Sequence, residues 1–107
     1  MPLFLVVIMG TIQAQQMSQT VRGTLIDSDS QTALIGATVT IMGSNPKIAT
    51  STDKDGKFRF SNIPTGRIIL QLNYVGYEPR VVPDVVVNSG KEVVLNLRMQ
   101  ESTVKMA

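Results

Sequence analysis

Residues 53–60 read DKDGKFRF, and the fold turns on whether that stretch opens a metal loop or a turn. A calcium loop of the EF-hand kind sets oxygen ligands at positions 1, 3 and 5, a glycine at 6 and a bidentate glutamate at 12. Counted from Asp53, position 3 is Asp55, but position 5 is Lys57, position 6 is Phe58 and position 12 is Pro64. Two carboxylates beside Lys54 and Lys57 would leave a cation short of ligands. The turn reading fits every residue. Asp55 can bond its own backbone two residues on, Gly56 supplies a positive φ, and the alternating KFRF starts a strand. The stretch is expected to be a hairpin turn.

Outward from this turn, apolar residues recur with period two, the mark of half-buried strands. Val21, Gly23 and Leu25 alternate with Arg22, Thr24 and Ile26, and Ala37, Val39 and Ile41 with Thr38, Thr40 and Met42. The same alternation runs through Phe58 and Phe60, through Ile68 to Tyr74, and through Val93 to Met99. A weaker, Thr/Ser-rich strand fits Ile48 to Thr52. Another fits Arg80 to Val87, where Pro79 and Pro83 confine it to a sheet edge because proline cannot donate a ladder hydrogen bond. Turn residues separate the runs at regular spacing. In SNIPTG, Pro64 fixes φ and Gly66 permits a left-handed residue, which suits a strand-to-strand connection. The expectation is all-β: a seven-stranded antiparallel β-sandwich over residues 20–99, with no room for a second domain.

The flanks have a different character. Residues 1–15, MPLFLVVIMGTIQAQ, hold no charge, and Leu3 to Met9 is unbroken apolar sequence, about half of what a membrane-spanning helix needs. The run ends in Ile12-Gln13-Ala14, a small-residue cleavage pattern, so residues 1–15 are expected to be a secretory signal peptide. Residues 16–19 would be a short linker and 100–107 a flexible tail. The ten basic and eight acidic side chains are interspersed along the rest, which predicts no basic face. Nucleic-acid binding would want clustered Lys and Arg with interleaved aromatics. With no cysteine, an exported domain of this size rests on its apolar core.

Candidate chemistry is thin. With no His or Cys, a Ser or Thr nucleophile would need Lys or a carboxylate as its base, and no spacing suggests such a pair. A zinc site lacks imidazole and thiolate ligands. The carboxylates fall in turns or on solvent-facing strand positions, with nothing to suggest that burial raises a pKa. No catalytic, metal or cofactor residue is expected. In YVGY, Tyr74 and Tyr77 could form an aromatic platform for a sugar or peptide, with Asp27 to Ser30 (DSDS) on the same face. More often such a pair closes the end of a sandwich, with one ring buried, its hydroxyl on a backbone group and Gly76 letting the chain bend.

Taken in order, VRGTLID, LIGATVTIMG, TSTDKDGKFRFSNIPTG and LNYVGYEP resemble the carboxypeptidase-regulatory-like domain, from Val21 to about Met99. The resemblance implies a transthyretin-like (prealbumin-like) sandwich of seven strands and a non-catalytic role. A signal peptide followed directly by this module is similar to the N-terminal end of TonB-dependent outer-membrane receptors in the Bacteroidetes style. There the module sits in the periplasm ahead of a plug and β-barrel, often one for glycans, and LNLRMQESTVKMA resembles the lead-in to that plug. On this reading the chain is exported to the periplasm or outer membrane of a Gram-negative bacterium, and its partner is its own downstream plug and barrel or another envelope protein. The alternative is a stand-alone secreted or surface module for a polysaccharide or protein. Transthyretin-like hydrolases are similar in fold but use histidines, which this chain lacks, so that enzymatic reading is rejected.

Overall fold

The computed structural model describes residues 17–102; the expected signal peptide and residues 103–107 of the expected tail lie outside them. Seven strands follow one another: β1 (Ser18–Asp27), β2 (Thr38–Ile41), β3 (Ile48–Ser51), β4 (Lys57–Pro64), β5 (Gly66–Asn73), β6 (Arg80–Val87) and β7 (Val93–Met99). They form a three-stranded sheet in the order β4-β1-β7 and a four-stranded sheet in the order β3-β2-β5-β6. The described residues include no helix, so none is long and apolar enough to cross a membrane.

The alternation read in the sequence sets which side chains meet between the sheets. Val21 and Leu25 of β1, Phe58 and Phe60 of β4 and Leu97 and Met99 of β7 are buried against Val39, Leu70, Leu72, Val85 and Val87. Each such side chain contributes about 1.5–3 kcal/mol when taken fully out of water. Gly23 also faces inward. A Cβ there would stand 2.3 Å from the Leu95 carbonyl oxygen and 2.7 Å from the Phe58 ring, so the phenyl group of its cross-strand partner fills the glycine's place.

Three expectations change in detail. The sandwich is not purely antiparallel, because β1 pairs β7 in parallel from Val21↔Val93 to Asp27↔Met99. Alternation carries no direction; β7 follows a crossover from β6 in the other sheet and arrives running the same way as β1. DKDG is not a hairpin either. β3 pairs β2 and β4 pairs β1, so the turn carries the chain from one sheet to the other. SNIPTG is mostly strand: β4 runs to Pro64 and β5 begins at Gly66, with an irregularity opposite Gln19–Val21 where Asn62 takes φ 58°.

The edge assignment for Arg80–Val87 holds, since β6 pairs β5 alone. Its register slips between Ile68 and Leu70, which places Pro83 and Asp84 in the bulge. Near the first described residues, β1 begins at Ser18, which pairs with Pro64, inside the expected linker. In the described part of the expected tail, Gln100 and Ser102 are tied down by backbone hydrogen bonds. Glu78 N donates to the Gln100 carbonyl (3.0 Å), and Ser102 N donates to the Gly76 carbonyl (2.8 Å).

Candidate functional site

Polar contacts concentrate at two corners, and a groove opens beside one of them. At the first corner Asp53, not Asp55, organises the turn. Its Oδ1 accepts from Asp55 N and Lys57 N, both at 2.9 Å, because the first residue of the turn has its carboxylate pointing forward over the loop. The Lys57 and Asp55 amides hold the Asp53 carboxyl below the usual carboxylate value. Gly56 takes φ +72°, and its carbonyl accepts from Leu25 N at 2.8 Å. A Cβ at Gly56 would lie 2.6 Å from the Leu25 carbonyl oxygen. The turn is thus pressed onto β1, and its glycine is required twice over. Asp55 stays exposed on the outside.

One residue earlier, Thr52 is buried and ties the 34–37 loop to the end of β3. Its Oγ1 donates to the Leu34 carbonyl (2.6 Å) and accepts from Ala37 N (2.8 Å). A threonine in a turn-rich run gives no sequence signal for this, since the partners lie 15 and 18 residues away.

The second corner joins the end of β1 to the turn at Tyr77 and to the end of β7. Asp27 closes β1 and is 4% exposed, which corrects the expectation that every carboxylate is solvated. Its Oδ1 accepts from Asp29 N (2.8 Å) and Ser30 N (2.9 Å). Its Oδ2 accepts from the Tyr77 hydroxyl at 2.5 Å. The hydroxyl was expected to meet a backbone group; it meets a carboxylate, 50 residues away in sequence. That bond is the main reason the Asp27 carboxyl is held down to about 2, with the two loop amides helping against desolvation. The same bond pushes the Tyr77 phenol up to about 12. At neutral pH one group is a fixed acceptor and the other a fixed donor, so neither is poised to move a proton.

Tyr74 and Tyr77 do come together, ring centroids 5.2 Å apart and nearly perpendicular. Both are half-buried and pack against the core. Beside them lies a shallow depression of about 340 Å3 lined also by Gly36, Thr38, Asn73, Val75 and Pro79. Gly76, at φ +85°, makes the bend between the rings. The remaining turn residues singled out in the sequence, Pro64 and Gly66, sit at the β4–β5 connection, away from both corners.

The outer face of the three-stranded sheet holds what sequence reasoning missed. Register sets Arg22 opposite Arg59, Thr24 opposite Lys57 and Ile26 opposite Arg98. Four cations therefore share one face, although they are scattered along the chain. Glu92, just ahead of β7, forms an ion pair with Arg22; that hydrogen bond first, and then the Arg22 charge, keeps the Glu92 carboxyl below its usual value. Arg59, Lys57 and Arg98 form no ion pair among the described residues. Strand parity could have put each on an outward face, but only the pairing shows that the faces coincide.

The model of the carboxypeptidase regulatory-like domain matches residues 20–100. The chain belongs to that family. Solved structures share the fold of this carboxypeptidase regulatory-like domain at low identity. A chain of the type II cohesin–X-dockerin complex from Acetivibrio cellulolyticus superposes with a TM-score of 0.66 at 23% identity, over 78% of this chain and 58% of that one. The major pilin subunit BcpA of Bacillus cereus gives 0.62 at 17%, over 80% and 31%. A candidate carbohydrate-binding protein from Bacteroides uniformis gives 0.63 at 15%, over 77% and 41%. The domain thus spans little more than half, or less, of the chains it resembles. No curated protein matches the sequence at a significant level.

Proposed function

We propose that this chain is a non-enzymatic β-sandwich module of the bacterial envelope, exported by residues 1–15. In this reading it forms the N-terminal extension of a TonB-dependent outer-membrane receptor, in the periplasm ahead of the plug and barrel. It works by association: a rigid sandwich offers sheet edges to a partner, its own downstream region or another envelope protein. Strand addition is the physical mode. The observation that carries this reading is the topology, in which β4 and β7 end one sheet and β3 and β6 the other, so four strands are paired with another strand on one side alone in a domain of the carboxypeptidase regulatory-like family. The test is the coding sequence beyond Ala107, followed by fractionation of the tagged full-length product. A plug and barrel with the product in the outer membrane supports the receptor reading; a stop codon with no barrel, or a cytoplasmic product, contradicts it.

The depression beside Tyr74 and Tyr77 favours a second reading, a stand-alone module for a polysaccharide, with the rings and the Asp27–Ser30 loop as its face. A glycan array run with the parent and with Tyr74→Ala decides it. Binding lost in the variant supports it, and an empty array, or binding that survives Tyr74→Ala, removes it.

A further inference from the structure

β3 and β4 are outermost strands of opposite sheets, and between them runs a groove of about 460 Å3. Its lining runs from Thr50 and Ser51 of β3 past Lys57 and Arg59 of β4, and on over the outer face of the sheet to Arg22 of β1 and Val94 of β7. The backbone shows which peptide groups face this seam. Gly56 turns its carbonyl to Leu25 N of β1, whereas Lys57 turns its carbonyl to Asp53 N (2.8 Å) and its N–H to Asp53 Oδ1. Peptide groups alternate along a strand, so Phe58 faces β1 and Arg59 faces the seam, where no strand pairs with it. The Arg22 and Arg59 side chains stand directly opposite each other. Like charges so placed are destabilising. Glu92 forms its ion pair with Arg22, and its charge reaches Arg59 only more weakly, with no ion pair between them.

We propose that this seam takes an extended acidic polypeptide segment as an added strand on β4. Main-chain hydrogen bonds run to Arg59, and carboxylates at alternate positions of the incoming strand face Arg59 and Lys57. The proposal rests on the associative reading above and names its edge and the partner's chemistry. Residues two apart on a strand are about 6.6–6.8 Å apart, so Lys57 and Arg59 repeat with the period of a second strand's side chains. Unpaired backbone groups beside them favour a polypeptide over a polysaccharide. A second copy of β4 is disfavoured, because its own Lys57 and Arg59 would face these. The other edges suit an acidic strand less. β6 carries Pro83 in its bulge, β3 has no charged residue, and the Arg98 carbonyl on β7 already accepts from Arg80 Nη1 at 2.6 Å.

The test is a titration of the whole chain with a blocked peptide of about seven alternating Glu and Val residues, long enough to pair along β4. Backbone amide shifts give the location, and the same peptide with Lys for Glu and polygalacturonate serve as controls. The expected result is saturable binding of the Glu peptide, shifts centred on β4, affinity lower by about tenfold or more in Arg59→Glu, and no binding of the Lys peptide. Arg59 is exposed, and an unchanged melt of Arg59→Glu shows that the fold survives. Binding that Arg59→Glu leaves intact, shifts centred on β7, or polygalacturonate bound as tightly with the same dependence on Arg59 would overturn the proposal. Capture at another edge would do so while leaving the associative reading standing. If no edge takes a strand of either charge, both fall.

Discussion

The two edges of the three-stranded sheet are finished differently. At β7, long-range contacts fold over the end of the strand: Arg80 reaches the Arg98 carbonyl, Glu78 N meets the Gln100 carbonyl, and Tyr77 locks onto Asp27. At β4, closure is local and stops after one residue, where Asp53 takes up both peptide groups of Lys57. Beyond it the strand runs open under unpaired cations. Natural sheets guard free edges with charge, and Lys57 and Arg59 serve that end here. The same charges that repel a stray neutral or basic strand select an acidic one.

Four changes would break or sharpen this contrast, starting with the largest. Gly56→Ala forces a side chain into a left-handed φ and against the Leu25 carbonyl; a loss of about 2–5 kcal/mol is expected by chemical denaturation. It strikes the closed start of β4 and β1 together. Thr52→Val removes the hydroxyl that serves Leu34 and Ala37, leaving two buried backbone groups unpaired. A loss of about 1–3 kcal/mol is expected, with an unchanged dependence on denaturant.

Tyr77→Phe opens the β7 corner and has a signature in pH. With its folded value at about 2 against an ordinary 3.8, ionised Asp27 stabilises the fold fully above 3.8, and that contribution drains away as pH falls through about 2. Tyr77, at about 12 against 10.0, contributes below 10 and loses its share as pH rises through about 12. The variant should show a shallower acid limb and none of the alkaline loss due to this phenol. Equal limbs in the two proteins would mean that the corner holds nothing. Asp53→Ala should be the mildest, because that carboxyl is exposed and its partners are local. Faster exchange of the Asp55 and Lys57 amides with a nearly constant melting temperature is the expected outcome.

How much of this was legible beforehand follows the same division. The alternation of Val21, Leu25, Phe58, Phe60, Leu70 and Leu72 gave the strands and the core, because side-chain parity is a local property. The turn at Gly56 was equally plain. Partners were not: nothing in DKDG says that its two strands belong to different sheets, and period two is blind to the parallel β1–β7 pair. The Tyr77–Asp27 bond and the Arg22–Arg59 juxtaposition depend on pairing across tens of residues, so the sequence showed their side chains and hid their meeting.

The most direct probe of an open β4 edge is amide hydrogen exchange at Arg59, in the free chain and with the alternating Glu–Val peptide at saturation. The account predicts rapid exchange at Arg59 beside slow exchange at Phe58, and marked slowing at Arg59 alone of the pair once the peptide is bound. An Arg59 amide already as protected as that of Phe58 in the free chain, or one the bound peptide leaves unchanged, would contradict it.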